Sequence, residues 1–111
     1  MDREELESLC YEKICRELKF YKSRMMKKTK EEIYSAAYEI DSLISIYELM
    51  IEMINNLEED YLETILVFPN LLLFLYSKWL KCEDSHVKEL LCCIKKAIVE
   101  LRNNVNEECI A

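Results

Sequence analysis

A chain of 111 residues with an apolar fraction of 51% is long enough for one domain with its own core. Its net charge of −7 argues against an ordinary basic nucleic-acid-binding protein. Glycine is absent and proline occurs once, so the tight turns of an all-β fold lack residues that adopt positive φ. We therefore expect an all-α fold, a compact single-domain bundle of four to six helices, with a helical domain over residues 1–102 and a frayed tail over 103–111.

The negative charge is concentrated in the middle of the chain. Residues 31–77 contain ten acidic residues and no Lys or Arg. Residues 1–30 carry nine basic and six acidic residues, a balance of +3, and residues 78–111 carry six of each, a balance of 0. The middle segment therefore supplies the whole negative charge of the protein.

The first predicted helix covers Asp2 to about Lys28. Its apolar residues recur at steps of three and four, as on one face of a helix: Leu6, Cys10, Ile14, Leu18 (or Phe20), Tyr21 and Met25. The run from Lys19 to Lys30 holds six basic residues and no acid. It predicts either a phosphate-binding patch or a capped helix end that faces the acidic middle of the same fold, and the net charge favours the second.

The next helix begins at a predicted capping box, in which Thr29 and Glu32 each accept a backbone N–H of the other. A wide apolar face follows as far as Ile54. The sequence leaves open whether this helix is continuous, with a break near Asp41–Ser42 as the alternative. Its other face is a stripe at steps of four and three residues: Tyr34, Tyr38, Asp41, Ser45, Glu48 and Glu52.

This stripe carries the main functional hypothesis. Two tyrosines lead into three carboxylates, and side chains four residues apart on a helix lie roughly 6 Å from one another. That spacing is close to the spacing of phosphates along a nucleic-acid strand, so the stripe can imitate nucleic-acid charge. The alternative is a solvated face whose tyrosines pack on the first helix. Further acids extend the candidate partner-binding set: Glu58, Glu59, Asp60 and Glu63.

Two corners follow the stripe. Asn55–Asn56 can adopt left-handed geometry without glycine, and Pro69 ends a short helix and precedes the next, from about Asn70 to Lys81. The apolar residues of that helix are Leu72, Leu75, Tyr76, Trp79 and Leu80. Trp79, the only Trp, is predicted to be a core anchor, with a binding platform as the alternative.

The last helix is predicted to start at Glu83–Ser85 and to end at Asn103–Asn104. Between these ends its apolar residues again recur at helical spacing: Val87, Leu90, Leu91, Ile94, Ile98 and Leu101.

Six cysteines and one histidine form no metal or catalytic pattern. The cysteines show no C-x-x-C spacing, and several fall on apolar helical positions, which favours reduced thiols in the cytoplasm. Cys82 can share a helix face with His86, and Glu83 has the Glu-x-x-His spacing, but no second copy and no oxyanion device accompany them. The longest apolar run, 65–76, is too short to span a bilayer. We therefore expect no catalysis, no cofactor, no metal and no membrane span.

Several short segments together resemble a known family. They are Tyr11-Glu12-Lys13, Glu31-Glu32-Ile33, Ala37-Tyr38-Glu39, Pro69 ahead of Leu72, Tyr76 and Trp79, and Glu83-Asp84-Ser85-His86. Over about residues 9–95 they are similar to a small bacterial domain family of unknown function carried on phages and conjugative elements of Gram-positive bacteria. Where members often have polar residues after the third segment, this chain has Ile40-Asp41-Ser42-Leu43-Ile44. The resemblance implies a mobile-element cargo protein, and by analogy an inhibitor of host defence nucleases.

The leading hypothesis is a non-catalytic inhibitor of a basic nucleic-acid-binding enzyme, of the anti-CRISPR or anti-restriction type. The acidic stripe would occupy the enzyme's nucleic-acid channel. One alternative is a structural or assembly module, such as a homodimer or a toxin–antitoxin partner. The other, direct nucleic-acid binding through residues 19–30, is disfavoured by the net charge.

Overall fold

The protein is built from helices alone over the part of the chain that the structure describes. The computed structural model describes residues 2–81 and 90–110, and these residues form six α-helices and no strand. The helices are α1 (Arg3–Met25), α2 (Lys30–Ser35), α3 (Ala37–Ile54), α4 (Glu59–Val67), α5 (Leu71–Lys81) and α6 (Leu90–Ile110). The predicted all-α, single-domain fold is confirmed.

Five of these helices enclose one hydrophobic core. α1 packs against α3, α4 and α5, and α6 packs against the same three helices. The short α2 packs on α3 and contributes no buried residue. Side chains such as Ile14, Ile46 and Leu62 are fully buried, and each contributes about 1.5–3 kcal/mol of transfer free energy.

The predicted apolar face of α1 is confirmed. All six of its residues are buried: Leu6, Cys10, Ile14, Leu18, Tyr21 and Met25. The Asp2 carboxylate caps the start of the helix by accepting the Glu5 N–H over 2.9 Å. Lys22 and Arg24 stand in its last turn, where positive charge complements the helix dipole. Phe20, the alternative core residue, is 63% exposed.

The second predicted helix is two helices. The capping box is present, because the Thr29 hydroxyl accepts the Glu32 N–H over 3.1 Å and the Glu32 carboxylate accepts the Thr29 N–H over 2.9 Å. The interruption falls at Ala36, whose φ of −93° and ψ of 10° depart from helical values. The suggested break near Asp41–Ser42 is wrong, since both residues lie inside α3 and Ser42 is buried against the core.

The left-handed residue lies at a different corner from the one predicted. Asn55 is right-handed, with φ −72° and ψ −10°, and Asn70 is the non-glycine residue with positive φ (53°) in the described part of the chain. Asn70 follows Pro69, at the corner between α4 and α5. An Asn tolerates this conformation better than most residues, so the corner needs no glycine.

The end of α5 also differs from the prediction. Trp79 is half-buried outside the core cluster, and Leu80 is 55% exposed. The buried face of α5 is formed by Leu72 and Leu75, as expected, together with Leu71. The indole N–H of Trp79 needs a polar partner, and it finds one at the rim of the bundle.

The last helix continues past Asn103 and Asn104, where its end was predicted, and α6 reaches Ile110. Its apolar face is confirmed at Ile94, Ile98 and Leu101, which are buried. The predicted start at Glu83–Ser85 lies outside the described residues.

Candidate interaction surface

The outer face of α3 presents three carboxylates to solvent. Asp41, Glu48 and Glu52 are all exposed. The opposite side of the same helix is buried at Leu43, Ile46, Met50 and Ile54, which fixes the rotation of the helix. We call Asp41, Glu48 and Glu52 the acidic face.

The tyrosines of the stripe divide between two helices. Tyr34 lies on α2 and is 84% exposed, whereas Tyr38 lies in the first turn of α3 and is 59% exposed. Neither residue belongs to the core cluster or to the side chains packed against it. The break at Ala36 means that the stripe starts at Tyr38 on α3, with Tyr34 on the preceding helix.

A shallow groove, open to solvent, lies beside Tyr38. Tyr38, Tyr76 and Leu80 supply its apolar surface, and Glu31 and Glu39 line it as well. We call this feature the tyrosine groove. It lies at the start of α3, so it adjoins the helix that carries the acidic face.

Hydrogen bonds hold the walls of the tyrosine groove. The Trp79 indole N–H donates to the Tyr38 hydroxyl oxygen over 2.9 Å, and the Tyr21 hydroxyl donates to the Glu39 carboxylate over 3.0 Å. Burial, and then this bond to Glu39, raises the pKa of Tyr21 well above its usual value. Burial also raises the pKa of Tyr76, with a smaller contribution from the negative charge of Glu39. Both phenols therefore stay neutral at physiological pH.

The α4 acids form a separate group. Glu58, Glu59 and Glu63 are exposed at the start and along the outside of α4. Glu59 is in the first turn, where the helix dipole favours a carboxylate. Their exposure allows partner contact, but the helix start also explains the positions of Glu58 and Glu59.

Asp60, which the sequence predicts to bind a partner protein, also has an ion-pair partner within the fold. Its carboxylate accepts a hydrogen bond from Arg102 Nη1 over 3.2 Å, which ties α4 to α6. The Arg102 guanidinium also lies 4.5 Å from the centroid of the Tyr61 ring. Asp60 therefore joins two helices, and it is not one of the partner contacts that we propose below.

The acidic face has no compensation within the described structure. No ion pair or hydrogen bond joins Asp41, Glu48 or Glu52 to another side chain of residues 2–81 and 90–110. Glu48 and Glu52 are four residues apart, a spacing at which like charges destabilise a helix by about 0.2–0.5 kcal/mol. Glu52 also stands in the last turn of α3, which holds no basic residue, at the negative end of the helix dipole. Local helix energetics thus oppose Glu48 and Glu52, whereas Asp41 lies near the start of α3 and carries neither cost.

The basic run, residues 19–30, lies at the end of α1 and at the start of α2. Its six cationic side chains are exposed: Lys19, Lys22, Arg24, Lys27, Lys28 and Lys30. Arg24, Lys27 and Lys28 share a groove with Glu39. The expected proximity to the acidic middle of the chain is therefore found at Glu39.

The described cysteines differ in environment. Cys10 is buried and donates its thiol hydrogen to the Leu62 carbonyl over 3.3 Å, and burial raises its pKa to about 11. Cys92 is exposed, and Cys93 is buried. Within residues 2–81 and 90–110, no group of three His, Cys, Asp or Glu side chains is arranged to hold a metal ion. Cys82, Glu83 and His86 lie outside the described residues.

None of the described helices combines the length and apolarity that a bilayer span requires.

Sequence reasoning missed three members of the surface. Glu39, Tyr76 and Leu80 come together with Tyr38 only because α5 packs against α3. The signal in the sequence was the pair Tyr76 and Leu80, four residues apart on one helix, but it reads equally well as a core face.

Comparison with protein-family models, with curated proteins and with solved structures finds no significant match to this chain.

Proposed function

We propose that the protein is a non-catalytic inhibitor that binds a basic nucleic-acid-binding enzyme in the cytoplasm. The acidic face of α3 occupies the channel that otherwise holds nucleic acid, and the tyrosine groove anchors the complex at one end. The contact residues are Asp41, Glu48 and Glu52, with Tyr34 and Tyr38 beside them and Glu58, Glu59 and Glu63 contributing from α4.

The observation that carries this proposal is the uncompensated charge of the acidic face. Glu52 stands at the negative end of its own helix and repels Glu48, and no described cation forms an ion pair with either carboxylate. The Arg3 guanidinium, the cation at this helix end, donates to the Asn55 carbonyl over 3.3 Å and pairs with Glu7. Exposed residues are free to vary, so an arrangement that costs stability points to a function. A basic channel would convert the same charges into attraction across an interface.

The exposed tyrosines give the proposal its anchor. Tyrosine supplies large contact area at low conformational-entropy cost and is enriched where proteins bind each other. Tyr34 is 84% exposed, and Tyr38 is 59% exposed and hydrogen-bonded to Trp79. Both rings are therefore accessible to a partner protein. The acids would steer the encounter, and the tyrosines would slow dissociation.

The anti-CRISPR or anti-restriction form of the inhibitor rests on the sequence resemblance to a domain family of phages and conjugative elements. A mobile element benefits from a protein that blocks host nucleases. This target class is inferred by analogy with the genetic context of that family.

The test uses purified protein against a panel of restriction endonucleases and RNA-guided nucleases, each with and without its bound nucleic acid. We expect one-to-one binding to a free enzyme, competition with its nucleic acid, and a steep fall in affinity as salt rises. The Debye length is about 8 Å at physiological ionic strength and becomes shorter as salt is added. The attraction between exposed charges therefore weakens as the salt concentration rises. Binding that is indifferent to salt and to nucleic acid contradicts the proposal.

Two alternatives predict different results. A homodimeric assembly module sediments as a dimer at micromolar concentration and shows weak salt dependence. Nucleic-acid binding through Lys19–Lys30 retards DNA or RNA in a mobility-shift assay at low salt, and the salt slope reports the number of phosphate contacts. Our proposal predicts a monomer that leaves free nucleic acid unshifted.

A further inference from the structure

A second cavity lies beside α1, and none of the residues of the acidic face lines it. It has a volume of about 250 Å³ and sits between α1 and the start of α5. Leu18, Leu43 and Leu72 are buried at its apolar base, and Leu73 is half-buried beside them. We call it the α1–α5 cavity.

The rim of the cavity is cationic in a protein whose net charge is −7. Lys13, Arg16 and Arg24 line it, together with one acid, Glu17. They stand on one side of α1, at helical steps from residue 13 to residue 24.

The single acid at the rim is already neutralised. One Glu17 carboxylate oxygen accepts the backbone N–H of Leu72 over 2.9 Å, in the first turn of α5. The other oxygen forms an ion pair with Lys13, and both side chains are nearly buried. The cavity therefore keeps the positive charge of its two arginines, because neither Arg16 nor Arg24 forms an ion pair with another residue of the described chain.

Arg24 is held in position at one end of the cavity. Its guanidinium carbon lies 5.1 Å from the centroid of the Phe20 ring and 6.0 Å from that of the Tyr21 ring, and both rings line the cavity. These cation–π contacts restrict a side chain that would otherwise move freely. A guanidinium presents its N–H groups as a fork that matches a carboxylate in two parallel hydrogen bonds.

We propose that the α1–α5 cavity binds a small carboxylate with an apolar body, whose carboxylate pairs with Arg24 and whose body covers the leucines. The size of the cavity sets the scale of the ligand. An apolar cavity of about 150 Å³ holds a benzene ring, and pockets for drug-sized molecules begin near 300 Å³. A space of about 250 Å³ therefore suits one ring with a short chain. This site is independent of the proposed inhibition, since it uses none of the residues of the acidic face.

The test uses 4-phenylbutyrate as the probe, with 4-phenylbutanol and 4-phenylbutylamine as neutral and cationic analogues of the same body. Each is titrated into ¹⁵N-labelled protein, and the amide signals of Leu72, Leu73 and Tyr21 are followed. We expect the acid to shift these signals with a dissociation constant of about 1 mM or tighter. The alcohol and the amine should bind at least about tenfold more weakly, because neither pairs with a guanidinium.

Three variants locate the site. Arg24→Ala should weaken phenylbutyrate binding about tenfold, and Lys22→Ala, which removes the same charge from an exposed position of α1 outside the cavity, should leave it unchanged. Leu73→Trp should block the cavity and abolish the shifts while the circular dichroism spectrum stays helical. Equal affinities of the acid and the alcohol, equal effects of Arg24→Ala and Lys22→Ala, or shifts confined to other amides would each overturn the proposal.

Discussion

The indole Nε1 of Trp79 donates a hydrogen bond to the hydroxyl oxygen of Tyr38 over 2.9 Å. This bond joins the end of α5 to the first turn of α3. It fixes the Tyr38 ring at the wall of the tyrosine groove while leaving 59% of the residue exposed. This hydrogen bond explains why Trp79 lies at the rim of the bundle and not in the core, because the acceptor for its N–H is at the rim.

Tyr38→Phe should lower the free energy of unfolding by about 0.5–1.5 kcal/mol, because the Trp79 N–H loses its acceptor. Urea denaturation followed by circular dichroism measures this change. Tyr34→Phe is the matched control, since Tyr34 is 84% exposed and its hydroxyl has no hydrogen-bond partner among the described residues. Equal stabilities of the two variants would show that the Trp79–Tyr38 bond contributes nothing in solution.

Glu52→Lys should stabilise the protein by about 0.3–1 kcal/mol. The new cation complements the C-terminal end of α3 and follows Glu48 at the favourable i, i+4 spacing. Urea denaturation at low salt measures the gain, which should shrink as salt rises. In the same assay Glu31→Lys should be destabilising, because Glu31 stands in the first turn of α2, where a carboxylate is favoured.

If Glu52→Lys instead destabilises the protein, then the carboxylate has a favourable role in the fold. In that case the charge of the acidic face would have a structural reason, and the main support for the proposed inhibition would be lost.

Glu17→Ala should lower the free energy of unfolding by about 1–3 kcal/mol. The carboxylate accepts the Leu72 N–H at the start of α5 and pairs with Lys13, so its removal leaves two polar groups without partners in a nearly buried site. Glu12→Ala, an exposed site on the same helix, should change stability by less than about 0.5 kcal/mol. Thermal unfolding of the two variants provides the comparison, and a mild effect of Glu17→Ala would contradict this role.

The contribution of the buried Cys10 thiol to the unfolding free energy should fall at alkaline pH. Burial raises its pKa from 9.0 to about 11, so the folded protein retains a proton that the unfolded chain loses. Its contribution to stability is complete below pH 9 and falls as pH rises towards 11. The difference in unfolding free energy between wild type and Cys10→Ala should therefore decrease between about pH 8 and about pH 10.5. Tyr21 titrates in both proteins and cancels from the difference, and a constant difference would refute the prediction.

The fold was predictable from local patterns because helix faces repeat at a fixed period. The buried residues of α1 follow directly from the three- and four-residue spacing, and the capping box at Thr29 and Glu32 marks the start of α2. The break at Ala36 was not predictable in the same way, since it involves a single residue with neither glycine nor proline beside it. The left-handed conformation was predicted at Asn55–Asn56 and is found at Asn70. Both corners contain Asn, which tolerates this conformation, so the local sequence does not distinguish them.

The candidate surface was predictable only in part. The exposure of Asp41, Glu48 and Glu52 follows from the rotation of α3, which its apolar residues fix. The ion pair of Asp60 with Arg102 and the groove formed by Tyr38 with Tyr76 depend on which helices are neighbours. Neighbour choice is a tertiary property, and the spacing of residues within one helix does not contain it.

The most direct test of the proposed inhibition reverses the acidic face. The triple variant Asp41→Lys, Glu48→Lys, Glu52→Lys is compared with wild type for binding to the nuclease that the panel identifies, at a fixed physiological ionic strength. The control variant Glu4→Lys, Glu5→Lys, Glu12→Lys makes the same total change in charge at exposed positions of α1. We predict at least a hundredfold loss of affinity for the first variant, about 1 kcal/mol for each reversed contact, and a small loss for the second. Equal affinities of the two variants would contradict the account.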